Sequence, residues 1–231
     1  MNPSDRQWLL MDADDTLWEN NIYFERAIDE FIAFVDHPHY THAEVREVLN
    51  QIERANAAVH GYGSVSFGRN LREAFRRLAS DRATPENLAH VASLAAAIRE
   101  RRVEVIPGVP ETLEYLSGRH HLVLFTKGDP EEQHSKVERS SLSSFFADLR
   151  VVREKDAYTY GTMAREMGAP AGRVWMVGNS PRSDINPALA AGLNAVWVPH
   201  DATWVLEKED IVPGLGELLV LSRFAELRDH F

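Results

Sequence analysis

At 231 residues the chain suits one large domain or one domain with an insertion, and 44% hydrophobic with 26% charged residues marks it as globular rather than disordered or fibrous. It has no cysteine, which excludes disulfides and thiolate metal sites. The 25 Lys and Arg against 35 Asp and Glu give a net charge of -10, which argues against a nucleic-acid partner and suits an enzyme for small molecules. The start, Met1 to Arg6, is polar and does not read as a signal peptide. No apolar stretch approaches the length of a membrane span, so the expected location is the cytoplasm, with no membrane partner.

Trp8 to Met11 is a short apolar run that reads as a buried strand ending at Asp12. Helical periodicity then takes over. Ile22, Phe24, Ala27, Ile28, Phe31, Ile32 and Val35 suit one amphipathic helix. A second begins at Thr41 or His42, runs through Ala58, and is stopped by His60-Gly61-Tyr62-Gly63. A third starts at Ser64 or Ser66 with Leu71, Phe75 and Leu78 on one face. Thr84-Pro85-Glu86 looks like an N-cap with proline at the first helical position, opening a helix to about Arg102.

From Ile106 onward strands and helices alternate. Strands are expected at His121 to Phe125, Leu149 to Val152, Val174 to Val177 and Ala195 to Val198. Helices are expected at Pro130 to Ser140, Asp156 to Met167 and Pro181 to Ala191. The fold class that follows is α/β: a Rossmann-like parallel sheet with helices on both faces. The first strand joins that sheet, so residues 1–17 and 106–231 form the core and 18–105 a helical insertion. In such sheets ligands bind at the carboxyl ends of the strands. Those ends deliver Asp12-Ala13-Asp14-Asp15-Thr16, then Thr126-Lys127-Gly128-Asp129, then Arg153-Glu154-Lys155, then Gly178-Asn179 through Asp184.

In order and spacing these four segments resemble the motifs of the haloacid dehalogenase superfamily: D-x-D-x-T, a strand-ending Ser or Thr, a Lys, and G-D followed by a second Asp. The likeness spans nearly the whole chain outside the insertion, which resembles the superfamily's helical cap of the first class. The resemblance implies a magnesium-dependent phosphatase for a small phosphorylated metabolite, similar to phosphoglycolate phosphatases. Asp12 would be the nucleophile that takes the phosphoryl group. Asp14 would be the general acid and then the base. Thr126 would bind a phosphoryl oxygen and Lys155 would neutralise charge. Magnesium would be held by Asp12, Asp14, Asn179 and Asp184. Lys127 and Gly128 are candidates for the substrate's anion, since the turn they form offers backbone N–H groups. Asp15 reads as a cap or solvated loop residue, and Ser180 and Ser183 as helix caps.

Asn179 departs from the pattern, because the superfamily usually has Asp there. A neutral amide can still offer an oxygen, but the site loses a charge. In the insertion, Gly61 to Gly68 resembles a specificity loop, with Tyr62, Phe67, Arg69 and Arg72 as substrate-contact candidates beside the plainer reading of a surface turn. His37, His39 and His42 fit an inter-helix loop better than a metal site. Three rivals share the frame: a 2-haloacid dehalogenase, a phosphomutase and a non-catalytic phospho-ligand binder. Asp14 and Asp184 weigh against the first, and the intact Asp12, Asp14, Thr126 and Lys155 against the last. A phosphonate hydrolase would need a lysine in the insertion, and residues 18–105 contain none. The individual substrate and the oligomeric state are not legible.

Overall fold

The computed structural model describes residues 6–231; residues 1–5, on which the reading of the polar start largely rests, lie outside the described residues. The chain divides into two compact units, Met1–Glu19 with Val103–Phe231, and Asn20–Arg102. The division falls a few residues inside the expected insertion. Trp18 is the reason on one side: it is fully buried in the apolar core of the sheet unit and bridges to Val105.

The sheet unit carries strands β1 (Trp8–Met11), β2 (His121–Lys127), β3 (Asp148–Val152), β4 (Val174–Gly178), β5 (Asn194–Trp197) and β6 (Leu218–Val220). All pairs are parallel, in the order β3-β2-β1-β4-β5-β6. β1, β2 and β4 are apolar along most of their length because both sheet faces are covered. Alternate residues feed opposite cores. Leu9, Met11, Leu122, Leu124 and Val177 point to one, and Leu10, Val123, Phe125 and Met176 to the other.

The helical unit holds α1 (Asn21–Val35), α2 (His42–His60), α3 (Ser64–Leu78) and α4 (Pro85–Arg99). The starts of α2 and α4 have a local cause. Thr41 and Glu44 form a reciprocal capping box, and the Thr84 hydroxyl accepts from Asn87 N–H with Pro85 in the first turn. Phe31, Leu49, Phe67, Leu71 and Phe75 form this unit's own core. His37 Nδ1 accepts from the N–H groups of His39 and Tyr40, so these histidines shape an exposed loop, as expected.

The sheet unit also contains α5 (Val109–Ser117), α6 (Pro130–Ser140), α7 (Ala157–Glu166) and α8 (Asn186–Ala190). α5 and β6 were not expected from the sequence. The helix expected over Pro181 to Ala191 is split, with one wide turn over Pro181–Ile185 leading into α8. Pro187 explains the break. It has no N–H for the carbonyl of Ser183, and that carbonyl accepts instead from the Tyr160 hydroxyl at 2.9 Å. Among the described residues no helix is long and apolar enough to cross a membrane.

Candidate active site

β1 is central, and the chain turns to opposite sides of it: β2 and β3 lie one way, β4 to β6 the other. The loops after β1, β2 and β4 therefore part around a crevice at the carboxyl edge. Asp12 is fixed as the first residue past β1, its N–H donating to Val177 O at 2.9 Å.

There Lys155 bridges two carboxylates. Its Nζ lies 2.5 Å from Asp12 Oδ1 and 2.7 Å from Asp184 Oδ1, and all three residues are buried. The second oxygen of Asp184 accepts from Ser180 N–H at 2.9 Å. Gly178 makes that fit possible, since a Cβ there would collide with the Asp184 carboxylate. The second oxygen of Asp12 accepts from the Thr16 hydroxyl at 3.0 Å, and Asn179 Oδ1 faces the same hydroxyl at 3.4 Å. Burial drives the Asp12 carboxyl up to about 7; Lys155 pulls against this, and Asp184 and Asp14 add to it. Burial also works against the charge on Lys155, but the two carboxylates outweigh it and hold the ammonium above the usual lysine range. Beside the Lys155 ammonium, the pocket thus gathers hard oxygen atoms from Asp12, Asp184, Thr16 and Asn179 around a carboxyl whose ionisation is costly. A divalent cation fits that donor set and would relieve that cost.

Asp14 faces a different group of residues. Lys136 Nζ lies 2.8 Å from both of its oxygens, Trp18 Nε1 donates to Oδ1 at 2.7 Å, and Gln133 Nε2 donates to Oδ2 at 2.9 Å. Burial favours the neutral acid, but Lys136 outweighs it, helped by Gln133 and Trp18, and the carboxyl lies below its ordinary value. The structure therefore holds Asp14 as a carboxylate.

Thr126, the next-to-last residue of β2, is buried, its hydroxyl making a long 3.4 Å contact to Lys127 O. Lys127 turns to other partners: its Nζ lies 2.6 Å from Glu207 Oε1 and 2.7 Å from Ser183 Oγ. The Gly128 N–H, expected to be open to an anion, donates to Val152 O at 3.3 Å. Gly128 has φ 144°, and a Cβ there would come within 2.9 Å of Gln133 Nε2, so the side chain that steadies Asp14 needs glycine at this turn. Ser180 caps the turn that follows it, as expected, accepting from Ser183 N–H at 2.9 Å; Ser183 instead takes Lys127. In the helical unit Tyr62 is half-buried, Arg69 and Arg72 are exposed, and Phe67 is core, packed edge-on against Phe24.

This edge carries a buried carboxyl, an ammonium between two acids and a second carboxylate two residues on, and a family profile for haloacid dehalogenase-like hydrolases matches residues 7–192. The chain belongs to this family. A crystallised hydrolase of the same family from Xanthomonas campestris is 30% identical with a TM-score of 0.84, over 97% of this chain and 90% of that one. The 5-amino-6-(5-phospho-D-ribitylamino)uracil phosphatase of Escherichia coli (strain K12) is 22% identical over 95% of this chain and 93% of its own length. A 2-haloacid dehalogenase from Pseudomonas syringae pv. Tomato DC3000 shares the fold, with a TM-score of 0.60 at 21% identity over 97% of each chain.

In this haloacid dehalogenase-like hydrolase several residues near the motifs were not singled out by sequence reasoning. Gln133 and Lys136 sit one helical turn apart on α6, a spacing that puts both on one face. Glu207 closes a short 3-10 turn, Val205–Glu207, that no motif marks. It is nearly buried; burial raises its carboxyl, but Lys127 and Ser180 outweigh that and keep it below its ordinary value. Asp15, Glu19 and His200 also meet, with His200 Nε2 3.2 Å from Glu19 Oε2. His200 Nδ1 accepts from Ala202 N–H, so the ring's proton sits on Nε2 and serves Glu19.

Proposed function

We propose that this hydrolase is a magnesium-dependent phosphatase acting on a small phosphorylated metabolite through an aspartyl-phosphate at Asp12. The observation that carries this reading is Asp14, a second carboxylate two residues beyond Asp12, ionised and held by Lys136, Gln133 and Trp18. Displacement of halide from carbon requires no proton donor or acceptor at that place, whereas a phosphomonoester requires both in turn.

A bound magnesium ion, held by Asp12, Asp184, the Asn179 amide oxygen and the Asp14 backbone carbonyl, would offset the repulsion between the attacking carboxylate and the anionic substrate. In the first half-reaction an Asp12 carboxylate oxygen bonds to phosphorus as the ester P–O bond breaks. The leaving oxygen takes a proton from Asp14, which must first take up that proton from solvent as its contact with Lys136 gives way; the water of the second half then returns it. In the second half, water attacks phosphorus, Asp14 accepts its proton, and the bond to Asp12 breaks to release phosphate. The form of Asp14 in the structure is the one this second step uses. Thr126 donates to a phosphoryl oxygen, and Lys155 favours the ionised form of Asp12 and neutralises charge between it and the phosphoryl group.

The helical unit is assigned as a cap, with Tyr62 and Arg69 as its substrate contacts, and Lys127 and Gly128 as the rim of the phosphate site. The phosphatase among the relatives supports the substrate class. Phosphate release from a panel of phosphorylated metabolites, run with magnesium and with chelator, tests the reading. Metal-dependent release supports it; release of halide from a 2-haloacid without release of phosphate refutes it.

A further inference from the structure

Asn179 stands where a carboxylate is usual in this family, and the direction of its amide decides whether it presents an oxygen or an N–H to the pocket. One neighbour settles that direction. Thr203, in the loop after β5, lies with its Oγ1 2.9 Å from Asn179 Nδ2. A hydroxyl has a single proton to give. Thr203 gives it to His200 O at 2.8 Å, closing a turn that is also held by Thr203 N–H to the same carbonyl at 3.0 Å. With its proton committed, Thr203 can only accept, and it therefore selects the NH₂ end of Asn179. The Oδ1 end is left facing the Thr16 hydroxyl, which itself donates to Asp12. Both residues are over nine-tenths buried, Asn179 at 6% and Thr203 at 8% exposure, so water cannot easily replace the contact.

We propose that Thr203 is a positioning residue that locks the Asn179 amide with its oxygen toward the divalent-cation pocket. The inference rests on the metal site of the proposed phosphatase. Without the Thr203 hydroxyl the amide would be drawn the other way, because the Thr16 hydroxyl gives its proton to Asp12 and could accept from a flipped Nδ2. A cation would then have to reverse the amide before gaining its oxygen. Partners behind a metal ligand commonly set affinity in this way. In the Asn179→Asp variant the lock has nothing to select, since both ends of a carboxylate are oxygen.

The test is magnesium alone, titrated by calorimetry into the substrate-free full chain. Thr203→Val keeps the shape and removes the hydroxyl, and it should weaken magnesium about tenfold. Thr203→Ser keeps the hydroxyl and should hold wild-type affinity. In the Asn179→Asp background, Thr203→Val should bring no weakening. Wild-type affinity in Thr203→Val overturns the inference. So does an equal loss in both backgrounds, which would mark a general loosening of the loop, and so does failure of Thr203→Ser to rescue. Absence of magnesium binding to the wild-type chain would overturn the metal site itself, and the inference with it.

Discussion

Lys136→Met tests how Asp14 is held. At 2.8 Å and an effective dielectric near 20, the attraction between the Lys136 ammonium and the Asp14 carboxylate is about 6 kcal/mol before desolvation is subtracted. Removing one partner of a buried pair usually costs about 3–5 kcal/mol, because the other charge is left behind. Asp14 retains Trp18 and Gln133, and its side chain is 23% exposed, so the cost falls at or below the bottom of that range, about 2–3 kcal/mol. The pH dependence has a definite sign. The folded carboxyl lies below its ordinary 3.8, so its contribution is complete above that value and fades as pH falls through the folded value. The gap between wild type and Lys136→Met should therefore be full at neutral pH and shrink below about pH 4. Urea unfolding of both proteins across pH reads this directly. The turnover profile gives a second reading: with Lys136 gone the Asp14 carboxyl rises, and the acidic limb of activity should move to higher pH. Unchanged stability together with an unmoved acidic limb would refute the coupling of Lys136 to Asp14.

Asp12→Asn should remove the nucleophile and cost at least about three orders of magnitude in turnover; a variant with more than about a tenth of wild-type rate would refute the assignment. Asp14→Asn should cost roughly 10²–10⁴-fold on alkyl phosphates and less on aryl phosphates, whose leaving group needs no proton, so equal losses on both would count against the acid role. Asn179→Asp should tighten magnesium in the absence of substrate by adding a charged oxygen, read by calorimetry or activation curves; unchanged affinity would place residue 179 outside the coordination shell.

The sheet and the order of its strand-end motifs were legible because buried parallel strands and their intervening helices leave regular apolar patterns. The segments that escaped are those whose structure comes from tertiary contacts. β6 is three residues long and is recruited by pairing with β5, too short to carry a period. α5 follows Pro107-Gly108 and carries Pro110 in its first turn, signals that read equally well as a loop. The motif residues Asp12, Asp14, Lys155, Asn179 and Asp184 could be named because their spacing is local to strand ends. The partners that orient them could not. Lys136 reaches Asp14 across 122 positions and Thr203 reaches Asn179 from a loop with no motif, so only the folded chain brings them together. Lys127 shows the same limit: its place beside Thr126 suggested a role at the site edge, but its partners Glu207 and Ser183 appear only in the fold.

In the proposed reaction Asp12 is phosphorylated and then freed by attack of water on phosphorus. A single turnover with enzyme in excess over an aryl phosphate, in heavy-oxygen water with magnesium, followed by mass spectrometry of the released phosphate and of the peptide bearing Asp12, tests it most directly. The expected result is heavy oxygen in the phosphate, none in Asp12, and a phosphorylated Asp12 peptide when the reaction is quenched early. Heavy oxygen in the Asp12 carboxylate, or phosphate released with no phosphorylated peptide at any time, would contradict it.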